Sequence, residues 1–282
     1  MMIKRLMLSV CVLVLVMAGH AGAAPVTPAD VVPRDCATLR SSATPLDAPP
    51  VGLGPCPGVR PGALVATEDL EGATWECTFG FVFEGFERSV ERRSLGRYIT
   101  TAGTCAVPWD GEEWWRDGEG PKAFDSTGKL IGRYVYAHSG VQSSGMEYAL
   151  IKVLPGVSVN PQVCYFGGPT GPVVGAVPGP VQLRQVGQGT YGVALGRPAF
   201  KATDLATEGP NDWLVGSWLP DDTGGPVITE DGRAVGLITA GGAGIVGDSD
   251  PVTLFLTRLQ PATNLAEEAL GIDLQLLTAP LL

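Results

Sequence analysis

Residues 221–226 read Asp221-Asp222-Thr223-Gly224-Gly225-Pro226, and they indicate how the surrounding chain folds. Two adjacent glycines followed by a proline favour a tight turn, because glycine adopts backbone angles that other residues avoid and proline cannot donate to a strand ladder. Short β-prone runs lie on both sides, at Trp213-Leu214-Val215 and at Val227-Ile228. The stretch therefore predicts a turn between two strands.

The same alternation of β-prone runs and turn residues extends outward from this turn over most of the chain. The 39 glycines and 24 prolines suit a succession of tight turns. Many short runs at regular spacing are typical of antiparallel barrels or sandwiches, so we predict an all-β architecture. The predicted strands cover residues 64–66, 78–83, 98–100, 133–136, 148–154, 163–165, 181–183, 191–195, 213–215, 227–228, 234–239 and 252–256.

One helical signal lies near the end of the sequence. Asn264 predicts a helix cap, Glu267 stands three residues further on, and Gly271 predicts a left-handed stop. We therefore expect one short C-terminal helix after the strands.

The start of the chain has the pattern of a secretory signal peptide. Lys4 and Arg5 precede an apolar run that ends at Met17, and Ala21-Gly22-Ala23 supplies a small-residue cleavage signal. The apolar run is too short to span a membrane. We therefore predict a signal peptide over residues 1–24 and a secreted, extracellular protein without a membrane anchor.

The predicted mature chain is acidic. Removal of Lys4 and Arg5 with the signal peptide lowers the number of Lys and Arg from 19 to 17, against 29 Asp and Glu. Nucleic-acid binding needs clustered basic residues, and the sequence has no such cluster. We therefore expect no nucleic-acid partner.

Five cysteines remain after residue 24, namely Cys36, Cys56, Cys77, Cys105 and Cys164. An exported protein is free to oxidise them, and the odd number leaves one unpaired or intermolecular. Metal binding is the competing interpretation, but the sequence has no CxxC pair, and His138 is near no cysteine in sequence. We expect neither a metal site nor a cofactor.

Three motifs resemble those of chymotrypsin-like serine proteases and occur in that family's order. Residues 99–105, Ile-Thr-Thr-Ala-Gly-Thr-Cys, resemble the T-A-[AG]-H-C motif, with Thr104 where the histidine belongs. Glu147-Tyr148-Ala149-Leu150-Ile151 resembles D-[FIY]-A-L-[IV], with Glu147 in place of the aspartate. Residues 221–226 are similar to G-D-S-G-G-P, with Thr223 at the nucleophile position.

Further matches extend the resemblance over residues 63–258. The run from Cys77 to Phe81 matches the C-x-x-G-F start of bacterial streptogrisin-type enzymes, and residues 235–241 resemble the V-G-[IL]-V-S-W-G strand that lines the substrate channel. The resemblance implies two antiparallel six-stranded Greek-key β-barrels with the cleft between them. The predicted bounds are 25–62 for a Pro-rich N-terminal extension, 63–157 for the first barrel, 158–258 for the second, and 259–282 for the C-terminal helix and tail.

The resemblance also implies disulfide pairs. In the streptogrisin-type pattern, a disulfide joins the cysteines that correspond to Cys77 and Cys105 and fixes the strand that carries the base. Cys164 matches the first cysteine of a later loop, but Val174 stands where the second belongs. Cys164 has therefore lost that partner, and Cys36 and Cys56 are the alternatives.

A catalytic triad needs a hydroxyl nucleophile, an imidazole base and a carboxylate that orients the imidazole. Thr104 cannot take a proton near neutral pH, so Thr223 stays an ordinary alcohol. His138 lies in a predicted strand-to-loop turn, nine residues before Glu147, and is not expected to replace the base. We therefore expect no active catalytic residue, and we expect Glu147 to accept hydrogen bonds from the two threonine hydroxyls.

The resemblance assigns further roles around the nucleophile position. Asp221 stands at the glycine whose backbone N–H contributes to the oxyanion hole, where a carboxylate would repel the developing charge. Asp222 corresponds to a structural aspartate that pairs with a buried cation. Ser217 stands where trypsin-like members have an aspartate, which predicts an uncharged pocket floor.

The predicted channel strand supplies a possible peptide contact. Ala240 replaces the bulky tryptophan that commonly walls the pocket, which predicts a wider groove. The backbone of Thr239, Ala240 and Gly241 can pair with an extended peptide.

Three functions are compatible with these residues. The first is a secreted, inactive protease relative, or pseudoprotease, that binds a peptide or protein in its cleft. The second is an atypical hydrolase with Thr223 as nucleophile and Glu147 or His138 as base. The third is a secreted structural scaffold that interacts through its Pro-rich extension or its cysteine-rich surface.

Overall fold

Short β-prone runs form seventeen strands in the part of the chain that the structure describes, and most of these strands contain buried residues. The structure is a computed structural model, and it describes residues 56–107, 111–140, 146–188, 194–201, 207–208, 211–216, 218–241 and 252–282. One helix, α1 (Leu259–Leu270), and two 3₁₀ turns, Gly103–Cys105 and Pro220–Asp222, accompany the strands. The strands form a nine-stranded and an eight-stranded sheet.

The first sheet closes into a barrel because one continuous stretch of chain, residues 74–87, bends and pairs with a different strand in each of its two halves. Its order is β3-β4-β8-β7-β6-β1-β2. The predicted run 78–83 is bent at residues 79–81, so that β2 pairs with β1 and β3 pairs with β4. With the bent run counted once, six strands close the ring. The strands are β1 (Leu64–Glu68), β2 (Thr74–Thr78), β3 (Val82–Glu87), β4 (Ser94–Thr101), β5 (Gly111–Trp114), β6 (Lys122–Phe124), β7 (Leu130–Ser139) and β8 (Glu147–Val153).

The second sheet also contains a ring of six strands. Its order is β11-β10-β14-β15-β16-β13, and the ring closes because β11 also pairs with β13. The short strands β9 and β12 add to β15 and β13. The strands are β9 (Gly171–Pro172), β10 (Val181–Gly187), β11 (Leu195–Lys201), β12 (Thr207–Glu208), β13 (Asn211–Gly216), β14 (Pro226–Thr229), β15 (Arg233–Gly241) and β16 (Val252–Arg258).

Each ring has its own apolar interior. Alternate side chains of a strand point to opposite faces, so every second residue can face the interior. Fully burying a large apolar side chain stabilises the fold by about 1.5–3 kcal/mol. The first core includes Phe79, Phe81, Ile99, Leu150 and Ile151, and the second includes Leu183, Leu214, Val227, Leu254 and Leu256.

Helix α1 begins earlier than the sequence signals indicate. It starts at Leu259, because Pro261 falls in the first turn, where backbone N–H groups have no partner within the helix. Asn264, the predicted cap, instead accepts a hydrogen bond from the side chain of Gln260 at 2.7 Å. The helix ends at Gly271 in the left-handed region, with φ 66°, as predicted.

The last strand, β17 (Ile272–Leu276), was not predicted. It adds to the first sheet beside β3, with Ile272 opposite Glu87 and Leu276 opposite Phe83. The chain therefore returns to the first barrel after completing the second.

The predicted all-β class with two barrels and a C-terminal helix is confirmed. The strand predicted at residues 163–165 is wrong, because Tyr165 takes φ 66° in a turn. The last part of the predicted Pro-rich extension, residues 56–62, packs against the fold, since Val59 is buried and Cys56 is bonded to Cys164. The predicted signal peptide and residues 25–55 of the extension lie outside the described residues.

Candidate functional site

Thr104 lies in the 3₁₀ turn that follows β4. The turn spans Gly103–Cys105, and Cys105 is joined by a disulfide to Cys77, with the two Cα atoms 6.2 Å apart. The indole N–H of Trp75 donates to the carbonyl oxygen of Cys105 at 2.7 Å. These two links hold the turn against β2.

Glu147 begins β8, and its side chain is only 1% exposed. One carboxylate oxygen, Oε2, accepts a hydrogen bond from the backbone N–H of Thr104 at 2.7 Å. The other, Oε1, accepts from the backbone N–H of Gly140 at 3.0 Å and from the hydroxyl of Ser139 at 3.1 Å. The carboxylate is thus held by neutral donors.

Burial raises the pKa of the Glu147 carboxyl, because it costs free energy to place a charge away from water. Hydrogen bonds from Thr104, Gly140 and Ser139 act in the opposite direction but do not cancel the effect of burial. Glu147 is therefore harder to ionise than an exposed glutamate.

The backbone of Glu147 also connects the two barrels. Its N–H donates to the hydroxyl oxygen of Thr257 on β16 at 2.9 Å. The Thr257 hydroxyl in turn donates to the side-chain oxygen of Asn211 at 3.2 Å. Thr257 is fully buried, so this chain of hydrogen bonds lies inside the protein.

Thr223 follows the 3₁₀ turn Pro220–Asp222, and Thr78 attaches it to the first barrel. The N–H of Thr78 donates to the carbonyl oxygen of Thr223 at 2.8 Å, and its hydroxyl donates to that of Asp221 at 2.6 Å. The Thr78 hydroxyl also accepts from the N–H of Gln188 at 3.0 Å. The sulfur of Cys105 lies 4.0 Å from the Thr223 carbonyl oxygen, so the Thr104 and Thr223 segments meet.

Gly224 is fitted closely into this junction. Its φ is +91°, and a Cβ atom there would lie 2.9 Å from the backbone nitrogen of Ala102. Its N–H donates to the carbonyl oxygen of Ile238 on β15 at 2.6 Å. Glycine adopts this positive φ without strain and has no Cβ to collide with Ala102, which explains why a glycine follows Thr223.

The two aspartates before Thr223 have different surroundings. The Asp222 carboxylate is buried and pairs with the guanidinium of Arg197 at 2.7 Å, and it also accepts from the N–H of Leu219 at 2.8 Å. Asp221 is half-buried, and this burial raises the pKa of its carboxyl. The buried cation that the sequence implies for Asp222 is Arg197.

His138 lies within β7 and not in the predicted strand-to-loop turn. It stands opposite Tyr148, whereas its neighbour Ser139 stands opposite Glu147. Because successive side chains alternate between the faces of a strand, His138 projects from the face opposite to Glu147. It is the only histidine in the described part of the chain.

The predicted channel strand is the end of β15. Thr239 is the extra residue at a bulge, and its hydroxyl donates to the carbonyl oxygen of Phe255 at 3.2 Å. Ala240 and Gly241 pair with β16, while the described ladder with β14 ends at Leu237. Ser217, the predicted pocket floor, lies outside the described residues.

Among the described residues, no imidazole lies beside Glu147, because His138 projects from the opposite face of its strand. Thr104 contacts Glu147 through its backbone N–H and also through its hydroxyl, as expected from the sequence. Both groups donate hydrogen bonds to the carboxylate, and neither takes up a proton near neutral pH.

Sequence reasoning did not identify Thr78, Ser139, Thr257 or Arg197 as members of this site. Each belongs to the site because of a tertiary contact. Thr78 and Asp221, for example, are 143 residues apart in the sequence. No local motif marks such residues.

The solved structures that this chain resembles are bacterial chymotrypsin-like serine proteases. Cellulomonas bogoriensis chymotrypsin is 18% identical, with a TM-score of 0.48, and the match covers 77% of this chain and 98% of that one. Thermobifida fusca protease A is 16% identical, with a TM-score of 0.49 and coverage of 77% and 98%. Nocardiopsis protease is 14% identical, with a TM-score of 0.46 and the same coverage.

No family model and no curated protein matches the sequence. Within the residues that the structure describes, no helix is long and apolar enough to cross a membrane. The same residues contain no group of three or more His, Cys, Asp or Glu side chains placed to hold a metal ion.

Proposed function

We propose that this protein is a secreted pseudoprotease, an inactive relative of trypsin-like serine proteases that binds an extended peptide or protein segment in its cleft. The motif order of Thr104, Glu147 and Thr223 supports the relationship. The contacts between the segments that carry them support a common cleft.

The hydrogen bond from the Thr104 backbone to Glu147 carries the proposal of inactivity. It occupies the carboxylate oxygen Oε2, and Ser139 and Gly140 engage Oε1. Removing the base of a serine protease costs about a million-fold in turnover. His138 projects from the strand face opposite to Glu147, so it does not stand beside the carboxylate as the histidine of a triad would.

Two features support binding. Residues 239–241 are extended, and among the described residues Ala240 and Gly241 pair only with β16, which leaves a backbone edge for an added strand. Asp221 is half-buried, lies two residues before Thr223 and adds a carboxylate to that segment. Together these two features favour an extended peptide that carries a hydrogen-bond donor or a positive charge near Asp221.

Export is supported by the N-terminal pattern and by cysteine chemistry. Two disulfides, Cys56–Cys164 and Cys77–Cys105, occur in the described chain. Stable disulfides are typical of oxidising compartments such as the extracellular space.

The first experiment tests inactivity. The purified mature protein is incubated with a fluorophosphonate probe and with a broad library of peptide substrates, with Thr223→Ala as the matched control. We expect no labelling and no cleavage above the control. Labelling that disappears in Thr223→Ala would establish the atypical hydrolase instead.

The second experiment tests the cleft. Thr104→His, Glu147→Asp, Thr223→Ser and Asp221→Gly are introduced together, and the substrate library is repeated. Recovered cleavage would define a preferred sequence. The unaltered protein should bind a labelled peptide of that sequence without cutting it, and an absence of binding would favour the structural scaffold.

A further inference from the structure

Residues 277–282, which we call the closing segment, lie extended against residues 166–169. The N–H of Ala279 donates to the carbonyl oxygen of Pro169 at 2.8 Å, and the N–H of Gly168 donates to that of Pro280 at 2.8 Å. The N–H of Leu282 donates to the carbonyl oxygen of Phe166 at 3.0 Å. Main-chain bonds in both directions are the pattern by which an extended peptide adds to a protein edge.

Two glycines make room for this segment. A Cβ atom on Gly167 would lie 2.5 Å from the carbonyl oxygen of Pro280. A Cβ atom on Gly232, whose φ is +85°, would lie 2.7 Å from Cδ2 of Leu281. We call residues 166–169 with Gly232 the cradle. Leu281 rests on Gly232 and is 37% exposed.

The cradle is distinct from the cleft. Its residues belong to the turn after Cys164 and to the hairpin between β14 and β15, and the closing segment reaches it directly after β17. None of the residues around Glu147 and Thr223 takes part in these hydrogen bonds.

We propose that the cradle is a second peptide-binding site, for extended segments with an apolar residue such as leucine directly after a proline, and that the closing segment occupies it in cis. The main-chain bonds provide affinity, and the space over Gly232 selects an apolar side chain after the proline. A tethered segment has a high effective concentration, so the intact chain masks the site from a peptide in solution.

The test measures binding of a labelled hexapeptide, Leu-Thr-Ala-Pro-Leu-Leu, which has the sequence of residues 277–282. It is titrated by fluorescence anisotropy into the full chain, into a chain that stops at Leu277, and into full-length Leu281→Asp, which disfavours the cis contact. Near-UV circular dichroism establishes that each protein is folded. If the shortened chain does not fold, full-length Leu281→Asp replaces it as the protein with the opened site.

A matched pair of substitutions tests the contact at Gly232. In the shortened chain, Gly232→Ala places a methyl group against the position of Leu281, whereas Gly175→Ala has nearly the same φ, +83°, with no atom within 4 Å. The two positions have nearly the same φ, but only the first obstructs the peptide. A Cβ at position 232 also lies 3.0 Å from Cγ2 of Thr170, so circular dichroism is recorded for both variants. A control peptide has aspartate in place of the first leucine after proline.

We expect the shortened chain to bind the peptide at least about ten-fold more tightly than the full chain, with Leu281→Asp between them. Gly232→Ala should abolish this binding, Gly175→Ala should retain it, and the aspartate peptide should not bind. The proposal is overturned if the opened, folded chain does not bind, if the full chain binds equally, or if Gly232→Ala binds as well as Gly175→Ala. The result is independent of whether the cleft binds or cuts peptides.

Discussion

The backbone N–H of Thr104 donates a hydrogen bond to Glu147 across 43 residues of sequence, at 2.7 Å. In a working triad, a carboxylate orients an imidazole, which carries the proton. In this chain the Glu147 carboxylate accepts from two backbone N–H groups and from the hydroxyls of Ser139 and Thr104. Glu147 therefore has a structural role in holding the turn that contains Thr104 and the end of β7.

Replacement of Glu147 by alanine should therefore destabilise the fold. The buried N–H groups of Thr104 and Gly140 would lose their acceptor, and each unsatisfied buried group costs about 1–3 kcal/mol. We expect a loss of about 2–4 kcal/mol in the free energy of unfolding, measured with urea. Glu76→Ala on β2 is the control, because Glu76 is exposed. Equal stability of the two variants would contradict the structural role.

The same carboxyl should make stability depend on pH. Its pKa is raised in the folded state above the ordinary value of 4.5, so its contribution is fully present below that value and is lost as pH rises through the raised one. The free energy of unfolding of the unaltered protein, minus that of Glu147→Gln, should fall between acidic and neutral pH. Urea titrations at several pH values measure this difference, and a flat or rising difference would refute it.

The Arg197–Asp222 pair should be important for stability because both side chains are buried. The exposed fractions are 11% and 2%, and Arg197→Met would leave the Asp222 carboxylate without its cation. Breaking a buried pair in this way costs about 3–5 kcal/mol. Arg233→Met is the matched control, since the Arg233–Asp231 pair is 59% and 70% exposed and should contribute less than about 1 kcal/mol. Urea unfolding compares them, and similar losses would count against the assignment.

The disulfides predict a definite peptide map. Digestion without reductant should yield one linked pair containing Cys56 and Cys164 and another containing Cys77 and Cys105. The first disulfide joins cysteines 108 residues apart in the sequence, and the second joins cysteines 28 residues apart. By loop-closure entropy, removing them should cost about 5 and about 3–4 kcal/mol. A peptide that links Cys36 to Cys164 in the mass spectrum would disprove this pairing.

Thr78 should control the order of the segment around Thr223. Thr78→Val removes the hydroxyl that donates to Asp221 and accepts from Gln188, while it keeps the side-chain volume. We expect faster amide hydrogen exchange at residues 221–225 and a loss of about 1–3 kcal/mol. Thr67→Val is the control, since its hydroxyl bonds to Tyr134 within the first barrel and, among the described residues, makes no contact with the Thr223 segment. Unchanged exchange at residues 221–225 would show that Thr78 does not hold them.

Much of the fold could be predicted because its signals are local. Short runs with turn residues between them predict strands, and Gly271 predicts the helix end that the structure has. Residues 163–165 were misassigned because their apolar run resembles a strand, whereas Cys56 and the backbone around them hold a turn. The strand β17 was missed because its five residues become a strand only beside β3.

The sequence by itself determined the β architecture, the motif order and the absence of a histidine at position 104, since these depend on residue type and spacing. Only the tertiary structure decided what Glu147 binds, which cysteine joins Cys164, and where the closing segment lies. Those contacts join residues that are far apart in the chain. A hydrogen bond or a disulfide forms only when folding brings its partners within a few ångströms, and no local pattern records that distance.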